Sequence, residues 1–330
     1  MRDLLADYDR LIATGERLGR AVVTDVWGSA PRPEGSSMLA TASGAVAGSV
    51  SGGCVESAVA AEIGAAIERG TPKVIAFGVT DERAWSVGLA CGGTITVLVE
   101  PLVRPEVLAA ARGPGGEVVA TAIEGPVGTW ARIGPGGAVD GDLGRLLDAS
   151  ALADAARNAL AGERSRSVRL GAPGGQLSVF LEVFPCRPRL VIVGAVHIAA
   201  ALVPLARALG YRAIVADGRE RFVTRERFPD ADELHAAWPD AAFEQIGLDA
   251  DCYVCILSHD PKFDEPALRL ALRSSARYIG AIGSAKTQGK RRERLRAEGF
   301  TDDQIARVRG PIGLDLGGRS PEETALAILA

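Results

Sequence analysis

The stretch Arg189-Leu-Val-Ile-Val-Gly-Ala-Val-His-Ile-Ala199 decides the fold of the second half of the chain. Its first five residues predict a buried strand of the parallel type, and Gly194 predicts the turn after it. An apolar helix is expected over 199–210, and a second strand over 211–216 ends at Asp217. This strand, helix and strand predict a Rossmann-like parallel sheet, in which the acid at the second strand end binds a ribose.

The glycine turn departs from the usual dinucleotide fingerprint at one position. Against G-x-G-x-x-G/A the chain reads Gly194-Ala-Val-His-Ile-Ala199, so Val196 replaces the second glycine. That glycine normally lets a pyrophosphate approach the backbone, and the Cβ of a valine would crowd it. We therefore take Gly194, His197 and Asp217 as candidate cofactor-binding residues, while Val196 argues against tight binding of NAD(P).

A later strand is predicted over 249–257 and contains both Cys252 and Cys255. Residues three apart on a strand point to opposite faces, so these two thiols cannot chelate one metal or form a disulfide there. Both are expected to be core residues. His259 and Asp260 follow at the carboxyl end of the strand, where open α/β sheets bind ligands, and are candidate catalytic residues.

Two further glycine-rich turns are candidate ligand sites in this half. Gly283 and Ser284 follow the predicted strand 277–283 and start a basic helix, so their backbone N–H groups could hold an anion. Asp315 lies in the glycine loop 310–318 and is a further candidate cofactor-binding residue. The basic residues of the helix are expected to form a solvated face.

In the first half, the stretch Ser49-Val-Ser-Gly-Gly-Cys-Val-Glu56 places a single thiol where a glycine loop becomes a helix. Apolar residues recur at helical spacing after it, so Cys54 is expected in the first helical turn. Free N–H groups and the positive end of the helix dipole would stabilise a thiolate or bind an anion there. Gly52, Gly53 and Glu56 are therefore candidate cofactor-binding residues; the alternative is that Cys54 is a small buried hydrophobe.

A second thiol has a similar setting. Cys91 precedes the pair Gly92 and Gly93, directly before the clear strand 94–100. Two glycine-flanked cysteines suggest one shared site. Between two prolines lies Arg32, whose guanidinium could clamp a phosphate; the alternative is an ordinary surface turn.

Length and composition place these motifs in two domains. A chain of 330 residues exceeds what one core usually holds, and the prolines at 185 and 188 mark the best boundary. We expect an α/β protein, with a mixed α/β domain over 1–187 and a Rossmann-like domain over 188–330. The net charge of −4 argues against a nucleic-acid partner.

The sequence also indicates a cellular compartment. The acidic N-terminus does not resemble a signal peptide, and the apolar run 190–206 contains Gly, His and Pro, unlike a membrane span. Five cysteines, an odd number, do not form a disulfide framework. A cytoplasmic protein without an integral membrane segment is expected.

Taken together, the motifs resemble the XdhC/CoxI family, whose members are accessory proteins of molybdenum hydroxylases such as xanthine dehydrogenase. The likeness covers nearly the whole chain. It rests on seven segments, namely 28–33, 48–56, 91–93, 190–199, 258–260, 278–284 and 311–318. The family usually has G-A-G-H where this chain has Gly194-Ala-Val-His197.

The resemblance implies a protein that binds molybdenum cofactor (molybdopterin), protects it during sulfuration and delivers it to an apo-hydroxylase. It favours an insertion chaperone over a turnover enzyme, with a homodimer, a molybdenum hydroxylase client and a cysteine desulfurase as expected partners. Cys54 and Cys91 would then be candidate catalytic residues and ligands of molybdenum, because thiolates suit thiophilic metals.

Two alternatives remain open from the sequence. One is an NAD(P)-dependent oxidoreductase, in which His259 is the acid or base and Asp217 holds the ribose; Val196 argues against it. The other is a nucleotide-sensing module without catalytic activity, in which the Rossmann half regulates a docking half.

Overall fold

A computed structural model describes residues 1–78 and 93–330. The chain divides into two compact units, Met1–Cys186 and Arg187–Ala330. The first unit mixes helices with antiparallel sheets, and the second contains a parallel sheet, so the predicted fold class is confirmed.

Among its described residues, the first unit contains two five-stranded antiparallel sheets. The strands of one sheet are β1 (Leu18–Trp27), β2 (Ser37–Thr41), β3 (Val46–Gly48), β4 (Lys73–Phe77) and β5 (Thr94–Glu100). The strands of the other are β6 (Glu117–Ala122), β7 (Trp130–Ile133), β8 (Val139–Asp140), β9 (Arg166–Ala172) and β10 (Gly175–Phe184). Their orders are β3-β2-β1-β5-β4 and β8-β7-β6-β10-β9.

Helices pack on these sheets through apolar faces. They are α1 (Leu5–Ile12), α2 (Glu56–Arg69), α3 (Pro105–Arg112), α4 (Leu143–Leu146) and α5 (Ala149–Ala161). Helix α2 buries Val59, Ile63 and Ile67 against the first sheet, as its helical spacing predicted. Helix α5 packs on the second sheet in the same way, and its N-terminus is capped by Asp148.

A buried ionic cluster joins the two sheets of the first unit. Arg20 on β1 is fully buried and contacts Glu100 on β5 at 3.3 Å. Its other terminal nitrogen contacts Glu182 on β10 and donates to Ser37 Oγ at 2.9 Å. Because three charges are removed from water together, each depends on the others for its stability.

The second unit contains one six-stranded parallel sheet. Its strands are β11 (Arg189–Val193), β12 (Arg212–Ala216), β13 (Glu233–His235), β14 (Cys252–Ile256), β15 (Tyr278–Ala281) and β16 (Val308–Arg309). The order is β13-β12-β11-β14-β15-β16. Counted within the unit this is 3-2-1-4-5-6, the Rossmann order, whose switch point lies between β11 and β14.

Helices cover both faces of this sheet. They are α6 (His197–Ala208), α7 (Pro239–Ile246), α8 (Pro261–Arg273), α9 (Ala285–Ala297), α10 (Asp302–Ala306) and α11 (Pro321–Leu329). Cys252 packs into the core on one face and Cys255 into the core on the other, so their prediction as core residues is confirmed. Ser320 and Glu323 form a capping box at the start of α11.

Several elements differ from their predicted bounds. Helix α3 and strand β9 were not predicted, because a short alanine-rich helix and an arginine-bearing strand lack a distinctive apolar period. Strand β3 has only three residues, 46–48, and pairs with β2. In the described part of the chain, no helix is long and apolar enough to cross a membrane.

Candidate functional site

The loop before α2 is organised around the carboxylate of Glu56. Five backbone N–H groups donate to it, those of Val50, Ser51, Gly52, Gly53 and Val55, at 2.8–3.2 Å. The hydroxyls of Ser49 and Ser51 donate to the same carboxylate at 2.6 Å. The loop therefore encloses an anion that belongs to the protein itself.

This arrangement corrects one expectation about Cys54. Helix α2 begins at Glu56, so Cys54 lies before the helix and not in its first turn. The N–H groups that were expected to stabilise a thiolate or an external anion are directed to Glu56. The side chain of Glu56, in the first turn of α2, thus occupies the anion site that the sequence pattern predicted for a ligand.

The Glu56 carboxylate is held strongly in its ionised form. Burial raises its pKa, but hydrogen bonds from Ser49, Ser51 and the backbone lower it more, so the pKa falls from 4.5 to about 2. A carboxylate that accepts several N–H bonds is expected to behave in this way. Glu56 therefore fixes the loop at neutral pH.

Cys54 is half-buried and packs against the core under α2, while Gly52 and Gly53 beside it are exposed. Both glycines have positive φ, +84° and +121°, a conformation that other residues rarely adopt. No atom lies within 4 Å of the position that a Cβ on Gly53 would take. The thiol therefore lies next to a patch of backbone that a ligand could approach closely.

The segment that carries Arg32 lies beside this loop. A Cβ on Gly52 would lie 3.4 Å from the Pro31 side chain, and a Cβ on Gly93 would lie 2.4 Å from the Ser29 carbonyl oxygen. Both glycine sites thus flank the same segment. The Nε atom of Arg32 is buried without a hydrogen-bond partner in the described residues. Cys91 and Gly92 lie outside the described residues.

Among residues 1–78 and 93–330, no group of three or more His, Cys, Asp or Glu side chains is placed to hold a metal ion.

In the second unit, the predicted residues at the switch point are brought together. Gly194 has φ of +107°, and a Cβ there would lie 2.8 Å from the backbone nitrogen of Ser258. The turn after β11 and the loop after β14 are therefore in direct contact. Only glycine fits this position.

Asp217 at the end of β12 does not present its carboxylate to the crevice. It is fully buried and accepts the N–H of Ala195 at 2.8 Å. The guanidinium of Arg219 donates to both oxygens, from Nε at 2.9 Å and from Nη2 at 2.7 Å. Burial raises the pKa of Asp217, but the bonds from Arg219 and Ala195 lower it below its usual value. A ribose would have to displace Arg219 to reach it.

The loop after β14 is supported by a buried polar network. Ser258 donates to Asp264 at 2.6 Å, and Asp264 pairs with Arg291 at 3.1 Å. Arg291 was expected on a solvated basic face; it is instead buried and donates to the Ile282 carbonyl oxygen. Burial raises the pKa of Asp264, although Ser258 and Arg291 oppose this. The network ties the loops after β14 and β15 together.

The two predicted catalytic residues of this loop differ in setting. His259 is exposed and has a positive φ of 61°, which is uncommon for a residue with a side chain. Asp260 caps α8 by accepting the N–H of Lys262 at 2.9 Å. His259 therefore projects from a strained position at the carboxyl edge of the sheet, whereas Asp260 has a structural contact.

The remaining predicted residues lie at helix starts or in a loop. Val196 is the N-cap of α6, and His197, its first residue, is exposed. Ser284 caps α9 by accepting the N–H of Thr287, directly after Gly283. Asp315 is exposed and accepts the N–H of Gly317 at 3.1 Å.

A cavity of about 770 Å³ lies elsewhere in this unit, around β16. Its lining includes Arg292, Arg309 and Tyr278, and none of the residues predicted as functional from the sequence. Burial raises the pKa of Tyr278 to about 12. Part of the glycine loop 310–318, including Gly310 and Gly313, also lines the cavity.

Sequence reasoning did not identify Arg219, Asp264 or Arg291 as part of the carboxyl edge of the parallel sheet. Arg219 lies two residues after Asp217, so the sequence alone could have indicated that the two side chains are close. The pairing of Asp264 with Arg291 joins positions far apart in the chain, and only the fold reveals it.

Comparison with known proteins gives consistent results over both units. The model of the XdhC Rossmann domain matches residues 190–330, and the model of the XdhC and CoxI family matches residues 11–78. A solved structure from Bacillus halodurans, described as a xanthine dehydrogenase, is 25% identical with a TM-score of 0.73. The structural match covers 97% of this chain and 92% of the Bacillus halodurans chain.

Two relatives match along nearly the full length. A Bacillus subtilis protein, named as a probable subunit of xanthine dehydrogenase, is 26% identical over 98% of this chain and 94% of that protein. The molybdenum cofactor insertion chaperone PaoD of Escherichia coli is 27% identical over 100% of this chain and 86% of PaoD. The uncharacterized protein YqeB of Escherichia coli is 33% identical over 48% of this chain. The matched part is only 29% of the length of YqeB.

Proposed function

Because this chain belongs to the XdhC and CoxI family, we propose that it binds molybdenum cofactor and inserts it into a molybdenum hydroxylase of the xanthine dehydrogenase or CO dehydrogenase type. The observation that carries this proposal is the full-length likeness to an insertion chaperone, PaoD. In this role the chain is a carrier, not a turnover enzyme.

The loop of Cys54 is the proposed contact with the metal end of the cofactor. When bound, the cofactor supplies a thiophilic metal centre and an anionic tail, and soft thiolates suit such a metal. Cys54 is only half-buried, so part of this residue reaches solvent in the folded chain. The open backbone at Gly53 allows close approach beside it.

Arg32 is the proposed contact with the anionic tail. It lies in the segment that touches Gly52, and its buried Nε atom lacks a partner among the described residues. An arginine can donate to a phosphate in a fixed geometry, which adds orientation as well as charge. We include Cys91 in the same site by its sequence position alone.

Glu56 has a supporting role in this proposal. Its hydrogen bonds hold the loop in one conformation before any ligand arrives, so less conformational entropy is lost on binding. It does so from within the loop and need not touch the cofactor. A preformed loop suits a protein that must accept the cofactor and later release it.

The proposal extends to the later steps of cofactor maturation. The chain would hold the cofactor while its terminal oxo ligand is exchanged for sulfur from a cysteine desulfurase. It would act in the cytoplasm as a homodimer and then dock with the apo-hydroxylase. These steps follow from the family resemblance and extend the carrier role.

Transfer to a client tests the function directly. Molybdenum cofactor would be added to an apo-hydroxylase of the xanthine dehydrogenase type, either free or preloaded on this chain, with an excess of a competing chelator. We expect enzyme activity to develop only from the preloaded sample, because the carrier protects the cofactor. Equal activity from free and preloaded cofactor would refute a carrier role.

A further inference from the structure

An aromatic pair lies at the carboxyl edge of the parallel sheet, outside every motif noted in the sequence. The rings of Trp238 and Phe263 are parallel, with centroids 4.3 Å apart and an interplanar angle of 4°. Phe263 is buried, whereas Trp238 is 48% exposed. One face of the indole lies against Phe263, and about half of the Trp238 residue remains open to solvent.

The pair has a fixed position relative to the strand ends. Trp238 follows β13. Phe263 is in the first turn of α8, which begins after the loop that follows β14. The chain at Gly218, directly after β12, passes beside both rings. A Cβ on Gly218 would lie 3.0 Å from the Phe263 ring and 3.2 Å from the Trp238 ring. The glycine lets both rings approach the edge where Rossmann folds bind ligands.

A guanidinium is held beside the rings. Arg219 lies 4.7 Å from the Phe222 ring centroid and 5.6 Å from that of Phe263. Its bonds to the buried Asp217 restrict its motion, yet its side chain remains 43% exposed. Arg227 lies on Phe222 as well, at 5.1 Å. The edge therefore combines a flat aromatic surface with exposed positive charge.

From this arrangement we propose that Trp238 is a stacking site for a planar heterocycle that carries a phosphate. The ring would stack on the face of the indole opposite Phe263, and Arg219 would contact the phosphate. Both a pterin phosphate and a purine nucleotide have this chemistry. The inference goes beyond the proposed function, because a purine nucleotide could bind here whether or not the chain carries molybdenum cofactor.

The rigid backing explains why this tryptophan suits a ligand. An indole that is already stacked on Phe263 loses little side-chain freedom when a second ring is added. Stacking on aromatic side chains tolerates different bases, because each has a flat face. Specificity for phosphate would come from Arg219, which the carboxylate of Asp217 orients.

Binding of small probes to the full chain tests the proposal. Neopterin monophosphate and GMP are the two ring probes, and ribose 5-phosphate has the phosphate without the ring. Calorimetry would be performed on the wild type and on Trp238→Leu, Trp238→Phe and Trp27→Leu. Trp27 is the matched control, because it is 71% exposed and lies in the other unit.

We expect at least one ring probe to bind the wild type and the Trp27→Leu variant equally, while ribose 5-phosphate binds far more weakly. Trp238→Leu should weaken that binding about tenfold, which corresponds to about 1.4 kcal/mol, and Trp238→Phe should restore most of it. The ring probe that binds more tightly identifies the source as a pterin or a nucleotide.

A second measurement does not depend on the fold of a Trp238 variant. In a protein with Trp27, Trp85 and Trp130 replaced by phenylalanine, Trp238 is the remaining tryptophan. Its fluorescence should be quenched by the ring probe that binds and not by ribose 5-phosphate. Absence of quenching by both ring probes, or equal affinity of the wild type and Trp238→Leu, would overturn the proposal.

Discussion

The Oε2 atom of Glu56 accepts the backbone N–H of Gly53 at 2.8 Å, so a side chain from α2 closes the loop that carries Cys54. The contact converts a glycine-rich segment, which would otherwise sample many conformations, into a defined turn. The position of the thiol therefore depends on a residue that carries no sulfur and need not touch a ligand.

Replacing Glu56 by glutamine should destabilise the first unit by about 1–2 kcal/mol at pH 7. The N–H groups of the loop now donate to a carboxylate oxygen. In the variant, some of them would face the NH2 group of the glutamine amide, which cannot accept a hydrogen bond. Urea denaturation of the full chain measures the loss. Glu62→Gln is the control, since Glu62 on the same helix forms a partly exposed pair with Lys73 at 3.5 Å. An equal loss in both variants would contradict the role of Glu56.

The same contact predicts a pH dependence. The pKa of Glu56 is about 2 in the folded chain and near its ordinary 4.5 when unfolded. A lowered folded pKa adds stability that is complete above about pH 5 and is lost as the pH falls toward 2. The difference between wild type and Glu56→Gln should therefore shrink from pH 7 to pH 3. A difference that does not change over this range would refute the assignment.

Removing the charge of Arg20 should lower the stability of the folded chain more than removing a surface charge does. Arg20→Leu leaves Glu182 buried without its partner and Glu100 with Arg104 alone, at a cost of about 3 kcal/mol or more. Arg112→Leu breaks an exposed pair with Asp9 and should cost less than about 1 kcal/mol. Melting temperatures of the two variants give the comparison. Similar values would show that the buried cluster contributes little.

At the switch point, Gly194→Ala should be destabilising because the added Cβ meets the backbone of Ser258 at 2.8 Å. The fair control is Gly210→Ala, which has a similar positive φ of +86° but open space around the Cβ. We expect Gly194→Ala to cost about 2 kcal/mol more than the control, because it adds a clash to the same backbone strain. Equal losses by urea denaturation would refute the close approach.

Much of the Rossmann unit could be predicted because its signals are local. The run of apolar residues before Gly194 and the spacing to Asp217 identified the first strands and the turn. Strand periodicity also placed Cys252 and Cys255 on opposite faces. In the first unit, β9 was missed because its pattern is polar and its pairing with β10 is set by tertiary contacts.

The chemical partners were less predictable than the elements. The glycine loop predicted a stabilised thiolate or a bound anion before α2, whereas its N–H groups are directed to the carboxylate of Glu56 itself. Similarly, Asp217 stands where expected, yet Arg219 occupies its oxygens. A pattern of residue types indicates a favourable place for a charge. It does not say whether a ligand or a neighbouring side chain fills that place.

The missing glycine of the fingerprint leads to a prediction for NAD(P). Val196 should keep NAD⁺ binding weak, and Val196→Gly should strengthen it by opening room for the pyrophosphate. Calorimetry with NAD⁺ on both proteins measures this. The control is Val203→Ala, a change in the same helix away from the turn. Tight binding of NAD⁺ by the unmodified chain would contradict the prediction.

The central claim is that the Cys54 loop holds molybdenum cofactor, and the content of the purified chain tests it most directly. Molybdenum, by mass spectrometry, and pterin, by fluorescence, would be measured on protein from a host that makes the cofactor. We expect the wild type to carry both and Cys54→Ala to lose most of both without a large change in melting temperature. Cys255→Ala should retain both but lose stability, because Cys255 is buried in the core. Equal molybdenum in wild type and Cys54→Ala, or none in the wild type, would contradict the claim.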